Sequence, residues 1–358
     1  MSEMLLTGKR VLVTGGTGSM GKTMVRRLLS GEMGMPKKVI VFSRDEAKQH
    51  QMRQDYLQKA VATDEIIYRN YMNVLEFRIG DVRSYADVCS VLRDADVVVN
   101  AAALKQVPTC EYFPGQALLT NCMGAMNIVR AIGDNGYPVE TVVAISTDKA
   151  AKPINVMGMT KALQERIFLS ANVLSRGTRY IGVRYGNVLA SRGSVIPLFH
   201  DQIKAGGPVT LTVPEMTRFL LSIDQAVDTV FTALRGAKPG EIYVPNAPAA
   251  TVENIAKALI GDRKIEMKVT GIRPGEKMHE IMVSDEESYY CVRRGEYYAI
   301  VSMLPELQTE TVMTRGLQKE LSSADNVVDF QGTVALLKKH HLLLEQCDLN
   351  ATNHELIR

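Results

Sequence analysis

The chain has 358 residues, of which 46% are hydrophobic and 23% charged, and its formal net charge at pH 7 is +3. This length exceeds that of one small domain and predicts a large domain with a smaller second lobe around an ordinary hydrophobic core. The near balance of 42 basic and 39 acidic residues argues against a nucleic-acid-binding protein, which would carry a basic stripe.

Short apolar runs alternate with segments of helical periodicity in the first half of the chain. The runs are rich in Val and Ile, as is typical of parallel strands that are buried on both faces. Helical segments lie between them, for example at residues 19–30 and 114–132. This alternation predicts an α/β fold with a doubly wound parallel sheet of the Rossmann type. The predicted strands span residues 10–15, 38–43, 75–81, 96–103, 141–147 and 179–187.

The pattern loosens after residue 186, where polar turns and short apolar runs at residues 207–213 and 240–246 appear. We interpret this part as a smaller substrate lobe that is interleaved with the last strands of the sheet. The predicted division is a Rossmann domain at 1–186, a substrate lobe at 187–303 and a C-terminal extension at 304–358. Within the extension, residues 333–346 should be helical.

A glycine-rich turn, "TGGTGSMG", follows the first strand directly. Gly15 permits the tight turn, Gly18 lets the backbone approach a pyrophosphate, and Gly21 allows close helix packing. The helix that begins near Ser19 should point its N–H groups at the phosphates. These features predict a dinucleotide site at Gly15, Thr17, Gly18, Ser19, Met20 and Gly21.

The end of the second strand indicates which dinucleotide is bound. NAD enzymes usually carry an acidic residue there, but this chain has Ser43 and Arg44, with Lys48 nearby. Ser43 can donate a hydrogen bond to a 2′-phosphate, and Arg44 can pair with it. The predicted cofactor is therefore NADP. Further cofactor contacts are expected near the ends of later elements, with Asp81 beside the adenine. They are Asp81, Val82, Ala101, Ala103, Lys105 and Asn121.

With these motifs in place, the chain resembles the extended short-chain dehydrogenases/reductases, and more narrowly the UDP-N-acetylglucosamine 4,6-dehydratases of polysaccharide biosynthesis, especially the C5-inverting type. The resemblance implies a ring-like homo-oligomer, such as a hexamer, that acts on a UDP-sugar in capsule or O-antigen pathways. It covers residues 11–280 and is carried by "TGGTGSMG", "FSRDEAKQ", "GDVR", "AAALKQVP", "STDKAAKPIN", "VRYGNVLASRGSVIPLF", "MTRF" and "GIRPGEKMHE".

The implied reaction converts UDP-GlcNAc to a UDP-4-keto-6-deoxy-N-acetylhexosamine. NADP takes a hydride from C4, and the resulting ketone acidifies the C5 proton. A base removes that proton while an acid protonates the departing C6 hydroxyl, and the hydride returns to C6. In "STDK", Thr147 would bind the O4 hydroxyl, Asp148 would be the acid and Lys149 the base. A lysine base requires a lowered pKa, which burial beside the cationic nicotinamide would favour and Asp148 would oppose.

One residue departs from the superfamily pattern of Tyr, three residues and Lys. The lysine is Lys161, which the resemblance places at the nicotinamide ribose, but the tyrosine position holds Met157. A thioether cannot transfer a proton, so Met157 would only line the cofactor site and fill space. Either the chain binds without catalysis, or Lys149 or Asp148 takes the O4 proton through Thr147 or a water.

Substrate contacts are expected from the polar residues of the second half of the chain. Arg273 suits bidentate binding of a diphosphate, and Glu276 can accept both ribose hydroxyls of uridine. Together with Lys149, the predicted set is Lys105, Asn187, Arg192, Ser194, Arg218, Arg273 and Glu276. Two alternatives remain: a UDP-sugar 4-epimerase, which needs no C6 acid or C5 base, and a non-catalytic nucleotide-sugar-binding protein.

Other classes of protein are not expected. The odd number of cysteines, five, and the absence of a C-x-x-C pair indicate a reduced intracellular protein without a zinc site. The six histidines show no metal-ligand spacing. No apolar run of about 18 residues is present, and the N-terminus leads at once into a strand. We therefore expect a cytoplasmic protein with no metal, membrane span or nucleic-acid partner.

Overall fold

The computed structural model describes residues 4–58, 71, 73–175, 177–189, 194–308 and 315–344. Within these ranges the strands, in chain order, are β1 Arg10–Thr14, β2 Lys38–Ser43, β3 Leu75–Ile79, β4 Val97–Asn100, β5 Thr141–Thr147, β6 Arg179–Tyr185, β7 Val209–Leu211, β8 Thr217–Phe219, β9 Ile242–Pro245, β10 Ala249–Thr251, β11 Met267–Val269, β12 Ile281–Val283, β13 Cys291–Arg294, β14 Tyr297–Ile300 and β15 Leu321–Ser322.

The helices that connect these strands are α1 Ser19–Leu29, α2 Glu46–Gln58, α3 Tyr85–Leu92, α4 Val107–Tyr112, α5 Pro114–Ala117, α6 Gly124–Asn135, α7 Val156–Leu174, α8 Val195–Lys204, α9 Ile223–Gly236, α10 Val252–Ile260, α11 Asp285–Ser288 and α12 Phe330–Lys339. A π-helical turn at Leu118–Met123 joins α5 to α6, and single 3₁₀ turns occupy Asp148–Ala150 and Pro305–Leu307.

Nine of the described strands form one sheet in the order β13-β14-β9-β6-β5-β4-β1-β2-β3. Strands β1 to β6 and β9 are parallel, β14 pairs antiparallel with β9, and β13 pairs antiparallel with β14 at the edge of the sheet. The chain order reverses between β1 and β4, which is the switch point of a doubly wound sheet. The predicted fold class is confirmed, whereas the edge strands β13 and β14 were not predicted.

Both faces of the sheet are covered, because successive side chains of each strand point to opposite faces. In β1, Val11 and Val13 belong to a buried cluster with Val25 of α1 and Val230 of α9. Leu12, between them, belongs to the cluster on the other face, which includes residues of α3, α6 and α7. This two-sided burial explains why the strands are continuous Val and Ile runs rather than alternating sequences.

The second half of the chain builds three additional two-stranded ladders, β8 with β10, β7 with β11 and β12 with β15. A separate apolar cluster joins Phe199 of α8, Ile255 of α10 and Leu337 of α12. The predicted strand at residues 207–213 thus lies outside the main sheet as β7, while the one at 240–246 enters it as β9. The predicted domain boundaries stay predictions.

Several predicted bounds are wrong. The fourth strand ends at Asn100 rather than at residue 103. The helix expected at 114–132 is interrupted by the π-helical turn. The helix expected at 333–346 is α12, which begins earlier because Asp329 accepts a hydrogen bond from the Gly332 amide as its N-cap. It ends at Lys339, and residues 345–346 lie outside the described residues.

No helix in the described part of the chain is both long enough and apolar enough to span a membrane.

Candidate active site

The turn after β1 lies against the backbone that leaves β4. Gly15 has φ +64°, a left-handed conformation that favours glycine. A Cβ atom on Gly15 would lie 2.8 Å from the Ala102 backbone. The Ala101 amide donates to the Thr14 carbonyl, which holds the two strand ends together. This contact forms the crevice at the switch point of the sheet, with the exposed residue Ala103 next along the loop.

The other two motif glycines fit the start of α1. Gly18 is the N-cap, and the helix begins at Ser19, as predicted, with Met20 in its first turn. A Cβ atom on Gly21 would lie 2.5 Å from Gly16 Cα, where only backbone could move aside. The helix N-terminus therefore lies close to the strand end, with its free amides facing the crevice as a dinucleotide phosphate site requires.

Ser43 and Arg44, the two residues predicted to bind a 2′-phosphate, lie in different environments at the end of β2. Ser43 is buried, its Oγ lies 3.1 Å from Thr17 Oγ1, and it accepts a hydrogen bond from the Asp45 amide. Arg44 is 56% exposed, and its Nη1 lies 3.6 Å from Asp81 Oδ2. The serine thus connects β2 to the glycine turn, while the guanidinium of Arg44 stays in solvent at the mouth of the crevice.

Neighbouring charged residues at this end are already paired. Lys48 forms an ion pair with Asp45, which also caps α2 by accepting from the Lys48 amide. Asp81 accepts from Arg83 Nη2 at 2.6 Å and from the Arg83 amide. An adenine amino group would therefore have to share the Asp81 carboxylate with Arg83.

Two residues predicted to bind the cofactor, Asn121 and Val82, contact other protein residues in this structure. Asn121 accepts from the Leu104 amide at 2.9 Å, and its Nδ2 donates to the Leu104 carbonyl and to Thr160 Oγ1. This side chain ties the loop after β4 to α7. Val82 is buried against α6, where a Cβ atom on Gly124 would lie 3.0 Å from its Cγ2.

Lys161 is buried on the face of α7 that covers the sheet. Its Nζ donates to the Ile145 carbonyl at 2.5 Å and to Gln164 Oε1 at 2.8 Å. Burial lowers the pKa of Lys161 to about 8, with Glu165 and Cys122 opposing that shift. Lys161 lies near the strand ends, where a cofactor hydroxyl would bind. In this structure its hydrogen-bond partners are protein groups.

Met157, at the position of the missing tyrosine, lies in an apolar cluster. It is 4% exposed and packs with Cys110 and Ala117, and with the partly buried Leu104 and Val107. Met157 fills space among these apolar side chains, and its predicted place beside the cofactor stays a prediction.

The turn after β5 brings three polar side chains together. Thr147 Oγ1 donates to Asp148 Oδ1 at 2.9 Å, and Lys149 Nζ donates to the same oxygen at 3.0 Å. Lys149 also donates to Asn187 Oδ1 at 3.0 Å, beyond the end of β6. The predicted residues Thr147, Asp148, Lys149 and Asn187 therefore form one contiguous cluster at the carboxyl edge of the sheet.

Glu280 is a buried member of this cluster that the sequence did not predict. Its Oε1 lies 3.1 Å from Lys149 Nζ and 3.7 Å from Arg218 Nε. The residue belongs to the motif "RPGEKMHE", which is the one local signal that could have pointed to it. Nothing local distinguishes Glu280, which is 2% exposed, from the other charged residues of that stretch.

The two carboxylates have opposite pKa shifts. Burial raises the pKa of Asp148, and Glu280 adds to the rise while Lys149 opposes it. Burial acts in the same direction on Glu280, but Lys149 and Arg218 outweigh it and lower its pKa. Of the two carboxylates, Asp148 is therefore the one that holds a proton more readily.

The lowered pKa that a lysine base requires is not present in the free protein, which holds no nicotinamide. Burial does lower it, but Asp148 and Glu280 outweigh burial and raise the pKa of Lys149 above its ordinary value. Two carboxylates within 3.1 Å stabilise the ammonium. Lys149 is thus a cation at neutral pH unless bound cofactor and substrate change its surroundings.

The predicted substrate residues fall into different environments. Arg218 is 8% exposed, and its guanidinium donates to the Thr217 and Met278 carbonyls. The contacts of this guanidinium are therefore with protein groups, and they include Glu280. Ser194 precedes α8 and has a buried Oγ without a hydrogen-bond partner among the described residues. Arg192 lies outside the described residues.

The "RPGE" loop closes over the start of α7. Asn155 Nδ2 donates to the Gly275 carbonyl at 2.8 Å, and a Cβ atom on Gly275 would lie 3.5 Å from Val107 Cγ1. Arg273 in this loop is exposed, and Glu276 has a buried Oε2 without a partner in the described part of the chain. The loop therefore faces the segment after β4, where Lys105 is exposed.

Among the described residues, no group of three His, Cys, Asp or Glu side chains is arranged to hold a metal ion.

Comparison with known proteins agrees with this geometry. The family model described as "Polysaccharide biosynthesis protein" matches residues 11–302. A relative from Rickettsia conorii named UDP-glucose 4-epimerase is 44% identical over 301 residues, which cover 83% of this chain and 84% of the relative.

Two solved structures share the fold. The X-ray structure of Pen from Bacillus thuringiensis is 32% identical with a TM-score of 0.83, covering 94% of this chain and 99% of Pen. DesIV, a dTDP-glucose 4,6-dehydratase from Streptomyces venezuelae solved with NAD and TYD, has a TM-score of 0.63 at 20% identity, covering 94% of this chain and 99% of DesIV. The chain therefore belongs to the polysaccharide biosynthesis protein family, and it is a nucleotide-sugar-modifying enzyme of the short-chain dehydrogenase/reductase fold, in the class that contains epimerases and dehydratases.

Proposed function

We propose that this enzyme is a 4,6-dehydratase of UDP-GlcNAc that uses bound NADP and inverts C5. The observation that carries the proposal is the contact of Asp148, Lys149 and Glu280 beside the Thr147 hydroxyl, at the carboxyl edge of the sheet. Elimination of water requires an acid and a base in addition to hydride transfer. This cluster supplies ionisable groups of both kinds.

Each residue has a role in this proposal. Thr147 binds the O4 hydroxyl, protonated Asp148 protonates the departing C6 hydroxyl, and Lys149 removes the C5 proton. Since Lys149 is a cation in the free protein, this role requires that bound cofactor and substrate lower its pKa, so that it loses a proton before it acts as the base. NADP supplies the oxidant for C4 and returns the hydride to C6.

Met157 requires another route for the O4 proton. The side chains that pack around Met157 in this cluster are apolar, so they do not replace the missing tyrosine hydroxyl. Thr147 Oγ1, 2.9 Å from Asp148 Oδ1 and near the Lys149 amide, offers a hydrogen-bonded path into the cluster. The O4 proton therefore passes through Thr147 to Lys149 or to Asp148, whichever of the two is deprotonated at that step.

A UDP-sugar 4-epimerase is the second candidate, because the Rickettsia relatives carry that name. An epimerase transfers the hydride from C4 and returns it to the same carbon, so it needs no acid at C6 and no base at C5. The buried cluster of Asp148, Lys149 and Glu280 is more than that reaction requires, and it favours the dehydratase.

Incubation with UDP-GlcNAc and NADP in D₂O, followed by NMR of the product, separates the candidates. A dehydratase should yield a 4-keto-6-deoxy sugar with deuterium at C5, and the ring couplings report the C5 configuration. A product that retains its C6 hydroxyl and differs only at C4 would instead establish the epimerase.

The preference for NADP can be reversed by two substitutions. Arg44→Ala with Ser43→Asp should weaken NADP binding and favour NAD, because the exposed guanidinium is lost and a carboxylate faces the ribose. Losing one charge-assisted contact costs about 1.5–3 kcal/mol, or roughly tenfold to a hundredfold in affinity. Calorimetry with each dinucleotide measures the change. Arg93→Ala, which removes an exposed arginine from the end of α3, is the control, and equal NADP affinity of wild type and double variant refutes the assignment.

We expect UDP to bind at the "RPGE" loop. Arg273→Ala should weaken UDP binding about tenfold or more, since a charge-assisted contact with the diphosphate is lost, while NADP binding stays unchanged. Titration calorimetry with UDP alone tests this. Arg263→Ala, at another exposed arginine of the same lobe, should leave UDP affinity as it was. An unchanged affinity of Arg273→Ala removes this residue from the site.

Other expectations stay predictions: the homo-oligomer, the role in capsule or O-antigen synthesis, and the cytoplasmic location.

A further inference from the structure

The ammonium of Lys149 is surrounded by three oxygen atoms from three parts of the chain. Asp148 Oδ1 and Asn187 Oδ1 lie 3.0 Å away, and Glu280 Oε1 lies 3.1 Å away. An ammonium has three donors, so this arrangement uses all of them. Asp148 and Glu280 are therefore two buried carboxylates that compete for a single lysine.

The charges around the two carboxylates are unequal. Glu280 faces Lys149 and Arg218, whose Nε lies 3.7 Å away, and Lys277 of the same loop is the next cation. Asp148 faces Lys149 and the Thr147 hydroxyl. Oδ2 of Asp148 and Oε2 of Glu280 are both buried without a hydrogen-bond partner among the described residues. Two neighbouring carboxylates in a buried site do not both ionise readily. The additional cation places the negative charge on Glu280.

The backbone holds Glu280 in this position. Its amide donates to Ser323 Oγ at 2.9 Å, and Ser323 Oγ lies 2.6 Å from Thr217 Oγ1 beside Arg218. Residues that follow β15 and residues of β8 thus fix a carboxylate beside a lysine that lies 131 positions earlier in the chain.

We propose that Glu280 is a positioning residue: as the anion that pairs with Lys149 and Arg218, it keeps Asp148 protonated and so assigns Asp148 the role of the acid. This inference rests on the proposed dehydratase function. Without Glu280, Asp148 would be the nearest counter-ion of Lys149, would ionise, and could no longer protonate the C6 hydroxyl.

The pH dependence of kcat tests this role. In the wild type, activity is lost on the alkaline side as the pH rises through the raised pKa of Asp148. Glu280→Gln removes a negative charge that contributes to that rise, so the alkaline limb should move to lower pH by about one pH unit or more. At a fixed pH on that limb, kcat should then be about tenfold lower for each pH unit that the limb moves. Glu280→Asp, which keeps the charge, should restore most of the wild-type profile.

Infrared spectroscopy gives a readout that does not require turnover. With ¹³C-labelled aspartate, and after subtraction of the spectrum of Asp148→Asn, the wild type at neutral pH should show the carbonyl stretch of a protonated carboxyl group. The band should disappear in Glu280→Gln and remain in Glu280→Asp. Glu286→Gln, which removes an exposed charge nearby in the sequence, should change neither the band nor the pH profile.

Persistence of the band in Glu280→Gln, or its absence from the wild type, overturns the inference, as does an unshifted alkaline limb. Retained NADP affinity of each variant shows that the fold is intact. If the wild type shows the expected band but releases no dehydrated sugar, the proposed function fails while the charge assignment stands.

Discussion

Lys149→Met should abolish formation of the 4-keto-6-deoxy product, because Lys149 is the base proposed to remove the C5 proton. Loss of a general base typically lowers the rate by about 10²–10⁴. Product formation followed by NMR measures the loss, and NADPH absorbance reports the first half-reaction. NADPH that accumulates in this variant shows that the O4 proton leaves without Lys149, and no NADPH shows that Lys149 takes it. Substantial product from Lys149→Met would contradict the mechanism.

Met157→Leu is the matched control for that experiment. The side chain is buried among Cys110, Ala117 and Leu104, and leucine conserves both its volume and its apolar character. Activity should therefore fall only modestly. A loss as large as that of Lys149→Met would mean that the sulfur itself takes part in the reaction.

Arg184→Met should cause the largest loss of stability. Arg184 is 1% exposed and joins two buried carboxylates, Glu165 of α7 and Glu287 of α11, at 2.7 and 2.8 Å. It also donates to the Met282 carbonyl at 2.7 Å. Removing the cation leaves two buried carboxylates without a counter-ion, and breaking a buried pair in this way costs about 3–5 kcal/mol.

Urea denaturation measures this loss as a lower unfolding midpoint. The matched control is Arg235→Met at the exposed end of α9, where substitutions usually change stability by about 0.5 kcal/mol or less. If Arg184→Met unfolds at the same urea concentration as Arg235→Met, the buried ion pairs of Arg184 with Glu165 and Glu287 do not stabilise the fold.

The parallel part of the sheet could be predicted because its signals are local. Continuous Val and Ile runs mark strands buried on both faces, and the spacing of Gly15, Gly18 and Gly21 marks the turn into α1. The structure places that turn at the switch point, with backbone contacts at Gly15 and Gly21 that exclude a side chain. The grouping of Thr147, Asp148 and Lys149 follows from their position at the end of a strand.

The remainder depends on contacts between distant segments. Glu280 reaches Lys149 only because β12 pairs with β15 and the preceding loop closes over the sheet edge. Strand β14 extends the sheet by pairing with β9, and β13 pairs with β14. The short sequences of these two strands carry no pattern that separates them from loops. The sequence shows only Asp148 acting against burial on the pKa of Lys149. Glu280, a second carboxylate from far along the chain, adds to the opposing effect.

The most direct test of the proposed dehydratase follows the hydride itself. UDP-GlcNAc that carries deuterium at C4 is incubated with the enzyme and NADP in ordinary water, and the product is examined by NMR and mass spectrometry. The dehydratase mechanism predicts a 4-keto sugar whose new C6 methyl group contains the deuterium, because NADP takes the label from C4 and returns it to C6 of the same molecule. Deuterium that returns to C4 of an otherwise intact sugar, or unchanged substrate bound to an enzyme that retains its NADP, would contradict this mechanism.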